Sequence, residues 1–191
     1  ISASQKPRAY QDTAIRKVVE NITKGKKTTL LTMATGTGKT YTAFQIVWKL
    51  VKSKTIHRVL FLCDRIILRD DAHDRDFAPF GEARCKIEGG TFNQNRNIYF
   101  STYQTLFAND LYKKIRPEFF DLIIIDECHR SRFGDWGVIL EHFNDAKHLG
   151  MTATPKREDN IDVYQYFGEQ VFEYSLGQAI EDGYLVPYKI Y

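Results

Sequence analysis

Cysteine is scarce in this chain of 191 residues: Cys63, Cys85 and Cys128 are three in number and form no CxxC pair. An odd, scattered set argues against a disulfide framework and predicts a reducing, cytoplasmic setting. Cys128 is followed by His129, but no second Cys/His pair stands at ligand spacing, which disfavours a thiolate zinc site. Long apolar runs are also missing, as is any signal-peptide pattern at the start, so no membrane partner is expected. Charge of one sign is lacking too. A net charge of +3 and a pI near 8.7 neither demand nor exclude nucleic acid, and local patches must decide that question. What the chain does have is 43% hydrophobic residues, enough for one core, and one domain over 1–191 is the expectation. It begins at Ile1 and stops in the strand-like stretch Tyr184 to Tyr191, which suggests a piece of a longer chain.

The strongest local signal runs from Thr28 to Thr42. Thr28 to Met33 is apolar and β-branched, as a buried strand requires. Ala34-Thr35-Gly36-Thr37-Gly38 then forms a turn, and Lys39-Thr40 opens a helical pattern that continues to Leu50. Gly36 and Gly38 permit backbone angles at which successive N–H groups line one concavity, and the helix adds its positive dipole end. Phosphate suits such a cradle. Lys39 is placed to reach β- and γ-phosphates and the Thr40 hydroxyl to take a Mg²⁺ position. The strict phosphate-loop pattern asks for glycine where Met33 stands, so the match is to a variant form.

Upstream, Pro7-Arg8-Ala9-Tyr10-Gln11 precedes a helix marked by Ala14, Ile15, Val18, Val19 and Ile22 and ending at Gly25. Arg8, Tyr10 and Gln11 combine a guanidinium, an aromatic ring and an amide, and a Gln amide matches the N6/N7 edge of adenine. A polar cap on an amphipathic helix is the other reading. Downstream, Val59 to Cys63 reads as a strand, and Arg65 after it falls at the carboxyl edge of the sheet, where open α/β folds bind ligands. Gly81, Gly89-Gly90 and Thr91 to Asn97 read as loop and hairpin material around a short strand at Lys86-Ile87. Ile98 to Ser101 is a third strand. Thr102 and Gln104 beyond it, with Arg65, are candidate contacts to DNA sugar-phosphate, Thr102 and Gln104 being equally suited to capping a helix.

Leu122 to Ile125 is an unbroken aliphatic run, the mark of a strand covered on both faces, and Asp126-Glu127 follow it abruptly. Asp126 is the candidate second Mg²⁺ residue, and Glu127 the candidate base for the water that attacks a γ-phosphate. Adjacent acids are unfavourable without a shielding cation, which gives the pair a physical reason. Lys147 to Met151 is a further strand, and Thr152 and Thr154 after it are candidate coupling residues that would bond His129 and Glu127.

Taken in order, Arg-Ala-Tyr-Gln (8–11), Ala-Thr-Gly-Thr-Gly-Lys-Thr (34–40), Ser-Thr-Tyr-Gln (101–104), Asp-Glu-Cys-His (126–129) and Thr-Ala-Thr-Pro (152–155) resemble the motifs of the first motor domain of superfamily 2 helicases and translocases. Asp126 to Ser131 and the stretch from Pro155 to Tyr188 are similar to the motor subunit of type I restriction enzymes. The resemblance implies a RecA-like phosphate-loop NTPase domain, mainly parallel sheet with helices on both faces. It places the strand ending at Thr152 between the phosphate-loop strand and the strand ending at Asp126. It implies ATP and Mg²⁺ as ligands, His129 beside the catalytic Lys39, Asp126 and Glu127, and translocation on double-stranded DNA. Methyltransferase and specificity subunits, a second RecA-like domain beyond the tail 156–191, and a nuclease domain elsewhere in the parent chain are the implied partners. Without that second domain and its arginine, the 191 residues alone are expected to turn ATP over poorly. A helicase of repair or RNA metabolism, and a nucleotide-binding switch without motor activity, are the alternative readings.

Overall fold

The computed structural model describes residues 6–128, 133–153 and 161–187. Along the chain it runs α1 (Ala9–Thr23), β1 (Thr28–Met33), α2 (Lys39–Lys52), β2 (Val59–Cys63), α3 (Ile66–Asp71), β3 (Arg84–Lys86) and β4 (Ile98–Thr102). It continues through α4 (Tyr103–Phe107), β5 (Leu122–Asp126), α5 (Phe133–His142), β6 (Lys147–Thr152), α6 (Ile161–Phe167), β7 (Phe172–Tyr174) and α7 (Leu176–Glu181). The strands form one sheet in the order β3-β4-β2-β5-β6-β1-β7, every pair parallel.

Alternation along the strands sends side chains to two cores. Leu31 and Met33 of β1, Phe61 of β2 and Ile124 of β5 pack beneath α1 and α2, against Ile15, Val18, Phe44 and Val47. Their neighbours Leu30, Leu62, Ile123 and Ile125 face the other way, onto Ile139 and Leu140 of α5 and Val163 and Phe167 of α6. Each such buried side chain contributes about 1.5–3 kcal/mol of hydrophobic stabilisation, so both layers are needed to hold the sheet. Closely fitted contacts set the second layer. A Cβ on Gly150 of β6 would lie 2.9 Å from the Phe167 ring and 3.0 Å from the Cys128 sulfur, so only glycine lets α6 approach this strand.

Two sequence expectations change in three dimensions. The segment between β3 and β4 is not a hairpin. Arg84 pairs with Ile98 and Lys86 with Phe100 in parallel register, so residues 87–97 carry the chain back to the starting edge. The short strand itself is Arg84–Lys86, one residue before Ile87. On the opposite edge, the three-residue β7 pairs with Leu31 to Met33 and extends the sheet beyond β1. The placement of β6 between β1 and β5 agrees with the order the family resemblance implies.

A buried histidine ties α6 to the sheet. His148 Nε2 lies 3.0 Å from the Phe143 carbonyl and Nδ1 2.5 Å from the Tyr166 hydroxyl. A carbonyl only accepts, so Nε2 carries the proton and Nδ1 accepts from Tyr166. Burial pushes this imidazole down from 6.5 to about 4, which keeps it neutral in the fold. The unfolded chain protonates it near its ordinary value. Its stabilisation is therefore complete above 6.5 and is lost as the pH falls toward about 4. The loss is on the order of 3 kcal/mol across that window. Urea denaturation at several pH values checks this: stability should decline through the window, and His148→Gln should flatten the decline. An equal slope in the variant would remove His148 as its cause.

Candidate active site

The carboxyl ends of β1, β5 and β6 form one rim, and the site is built there. Beyond β1 the chain turns through Ala34 to Gly38, with Gly36 at φ 84° and Gly38 at φ 82°. Thr37 folds inward, its amide and hydroxyl both donating to the Ala34 carbonyl at 3.2 and 2.5 Å. Its own carbonyl is gripped from α1. The Tyr10 hydroxyl donates to it at 2.6 Å and the Gln11 amide Nε2 at 2.9 Å. Gln11 Oε1 in turn accepts from the Arg8 backbone N–H at 2.9 Å. Both ends of the Gln11 amide are thus occupied by the protein itself. Thr35 and Gly36 remain exposed at the tip of the turn, while Lys39 and Thr40, which open α2, are half-buried.

Lys39 crosses the mouth of β6 to the acids at the end of β5. Its Nζ lies 3.2 Å from Asp126 Oδ1 and forms a very close ion pair with Glu127 Oε1. The lysine and the twin acids, 87 and 88 positions apart in sequence, therefore share one pocket. Asp126 is buried, and its Oδ1 has no hydrogen-bond partner, because the Lys39 ammonium sits within ion-pair range but off the hydrogen-bond axis. Glu127 adopts φ 54°, a left-handed conformation unusual for a residue with a side chain. Such strain persists where the surroundings impose it, and it turns the carboxylate toward Lys39 rather than along the strand.

The donor set suits a hard cation with phosphate. Thr40 and Asp126 offer hydroxyl and carboxylate oxygens, the ligand type Mg²⁺ takes, and the unsatisfied Asp126 oxygen is an available position. Thiols do not compete. Burial pushes Cys63 and Cys128 up to about 12, so neither is a thiolate at neutral pH.

Other sequence candidates fall into different places. Arg65 is exposed at the start of α3, beside Ile66 and Ile67, and exposed Gln104 donates to the Asp64 carbonyl at 3.3 Å. Arg65 and Gln104 therefore share the rim beyond β2 and β4. Thr102 does not join them at the surface. It is buried, and its hydroxyl caps α4 by accepting from the Thr105 amide at 3.3 Å, the capping role left open by the sequence. Thr152 is also buried. Its hydroxyl has no hydrogen-bond partner, so the expected bond to Glu127 is not formed. Thr32, its register partner on β1, likewise has a buried hydroxyl without a hydrogen-bond partner. His129 and Thr154 lie outside the described residues.

Sequence reasoning missed a clamp from the other end of the chain. The Tyr174 ring stacks on Tyr10 with centroids 3.8 Å apart and planes 6° from parallel, and the Tyr174 carbonyl accepts from the Ala34 amide at 2.9 Å. Tyr184 meets the edge of Tyr10 at 5.3 Å, and the Arg8 guanidinium lies 4.4 Å above the Tyr184 ring. The recurring tyrosines were visible in the sequence, but no local pattern joins positions so far apart.

Residues 4–157 match the family model described as "Type III restriction enzyme, res subunit". The chain belongs to this family. It is 46% identical to the type I restriction enzyme EcoAI endonuclease subunit of Escherichia coli, over 98% of this chain and 24% of that protein. Among solved structures it is 48% identical, with a TM-score of 0.78, to a fragment of a putative HsdR subunit of a type I restriction enzyme from Vibrio vulnificus YJ016, covering 93% of this chain and 32% of that one. The Type ISP restriction-modification enzyme LlaGI, solved as a nuclease-deletion mutant with a DNA substrate mimic, matches at 26% identity and a TM-score of 0.74, over 94% of this chain and 21% of that one. This chain thus spans about a quarter of the length of the EcoAI subunit. Helicase and ATPase cores at lower identity share the fold alone, which is RecA-like.

Proposed function

We propose that this chain is the ATP-binding first motor domain of a type I restriction endonuclease subunit that moves along double-stranded DNA. One observation carries the reading: Lys39 from the turn after β1 meets Asp126 and Glu127 from the end of β5 in a single pocket. Relatives described as restriction endonuclease subunits support the assignment, and the DNA substrate mimic bound by LlaGI supports the choice of polymer.

In this reading the turn 35–40 and Lys39 hold the phosphates, and Arg8, Tyr10 and Gln11 form the wall beside the nucleoside. Mg²⁺ held by Thr40 and Asp126 would supply the charge that draws electrons from the γ-phosphate. The chain's own work is then a transfer of partners. Lys39 leaves Glu127 for phosphate oxygen, which releases a carboxylate able to orient a water molecule and take its proton. Arg65 and Gln104 touch the DNA backbone, while Thr102 positions them by fixing α4. His129 and Thr154 stay in this reading as partners of the acids, and Thr152 as the residue between the strands. A second RecA-like domain following residue 191 would bring the missing arginine, with the nuclease domain and the methyltransferase and specificity subunits completing the assembly. No helix among the described residues is long and apolar enough to cross a membrane, and a cytoplasmic site of action is part of the proposal.

The test is nucleotide turnover by the full parent subunit. Duplex DNA should stimulate hydrolysis, and Lys39→Ala should reduce it by about 10² to 10³-fold. Undiminished, DNA-stimulated turnover in Lys39→Ala would overturn the assignment.

A further inference from the structure

Beside the turn after β1 lies a cleft of about 260 Å³ lined by Lys6, Arg8, Gln11, Gly36, Gly38, Tyr41 and Asp76. Asp76 is the member nothing so far explains. It ends a π-helical turn, Ala72–Asp76, that continues from α3, and such irregular turns recur where a side chain must be aimed at a site. Its side chain is half-buried; its own backbone amide donates to it and Arg75 is a nearby cation, but no other side chain among the described residues hydrogen-bonds or ion-pairs with it. Burial raises its carboxyl above the ordinary range, partly offset by Arg75, with Asp71 raising it further. A half-buried carboxylate with only its own amide as a hydrogen-bond donor keeps acceptor positions open for an incoming group.

The surroundings narrow the donor. Gln11 has both ends of its amide taken, by the Arg8 amide and the Thr37 carbonyl. Among the described side chains lining the cleft, the acceptor left over is therefore the Asp76 carboxylate. Arg8 and Tyr41 add a planar guanidinium and a phenol ring, surfaces on which a flat heterocycle stacks. A carboxylate lining the same cleft can meet the edge of such a ring.

We propose that Asp76 reads the nucleobase, its carboxylate accepting a hydrogen bond from the exocyclic amine of adenine. The inference rests on the nucleotide site proposed above. A carboxylate accepts only, so it favours an amino group at that edge and repels the carbonyl oxygen of a 6-keto purine. Ribose hydroxyls are the other donors a nucleotide brings, and the experiment separates the two.

Steady-state hydrolysis by the full subunit is measured with ATP, with purine riboside triphosphate, which lacks the amine, and with 2′-deoxy-ATP. Wild type, Asp76→Asn, Asp76→Ala and Lys39→Ala are compared. A contact made equally in ground and transition states moves KM and leaves kcat alone. Asp76→Ala should therefore raise KM for ATP about tenfold, the value of one hydrogen bond to a charged acceptor, with kcat and the KM for purine riboside triphosphate unchanged. Asp76→Asn, which keeps the shape, should fall between. An unaltered preference for ATP over the amine-free analogue in both variants would overturn the proposal. Loss of discrimination against 2′-deoxy-ATP instead would reassign Asp76 to the sugar and overturn it equally. If Lys39→Ala abolishes turnover while the Asp76 variants keep wild-type selectivity, the site stands and this inference fails. If Lys39→Ala has no effect, both fail.

Discussion

Glu127→Gln is expected to leave nucleotide binding intact and to lower hydrolysis by about 10² to 10⁴-fold, the usual contribution of a positioned base. Glutamine preserves the shape of the side chain and its place after β5 but cannot take a proton from water. The ion pair with Lys39 sharpens the prediction. That pair engages the lysine on the acids, so phosphate must compete with Glu127 for the ammonium. Removing the negative charge weakens the competitor and leaves Asp126, 3.2 Å away, to hold the lysine in place. Affinity should consequently be unchanged or a few-fold tighter while turnover collapses. Binding of a fluorescent ATP analogue and single-turnover hydrolysis separate the two effects. Turnover equal to wild type would remove Glu127 from the chemistry, and binding lost together with turnover would make it a structural partner of Lys39.

The same pocket shows why part of the molecule could be read from sequence and part could not. The strand, turn and helix from Thr28 to Leu50 carry their own instructions: a β-branched run, two glycines that adopt positive φ, and then a helical spacing. Leu122 to Asp126 is as explicit, because a strand buried on both faces leaves no room for polar residues until it reaches the rim. That two such segments end at one rim follows from parallel strand order, which short crossovers enforce.

Other features depend on partners distant in the chain. Nothing within Phe172 to Tyr174 marks it as an edge strand, since three residues show no period and its apolar ring is matched by Tyr10 of α1. Gln11 has the right chemistry for adenine, yet its amide is occupied by backbone groups that only the folded turn brings near. Asp76 lay in a stretch without pattern. Its relevance comes from the π-helical turn that directs it into the cleft, and no residue type announces that turn. The parallel return before β4 departs from the expected hairpin for a related reason: glycines and polar residues mark a change of direction without saying which way the chain leaves.

Gly38→Ala is expected to abolish tight nucleotide binding, by at least about 100-fold, in a domain that remains folded. Two independent effects act at this position. The backbone stands at φ 82°, where a side chain brings strain on the order of 1–2 kcal/mol. The added Cβ would also clash with Gln11 Nε2, so the amide would have to release the Thr37 carbonyl that it holds at 2.9 Å. Together they alter the curvature of the turn proposed to hold the phosphates while the two cores beneath it are untouched. A domain with the ordinary stability of about 5–15 kcal/mol survives such a change, though with a lower melting temperature. The two effects can be parted by a second substitution. In the Gln11→Ala, Gly38→Ala double variant the clash disappears but the left-handed backbone does not, so binding should recover by about tenfold over Gly38→Ala and still fall short of Gln11→Ala alone. Full binding in Gly38→Ala would mean that the turn does not hold the phosphates. Absence of any recovery in the double variant would assign the whole loss to the backbone and leave Gln11 as a brace whose position the glycine does not control.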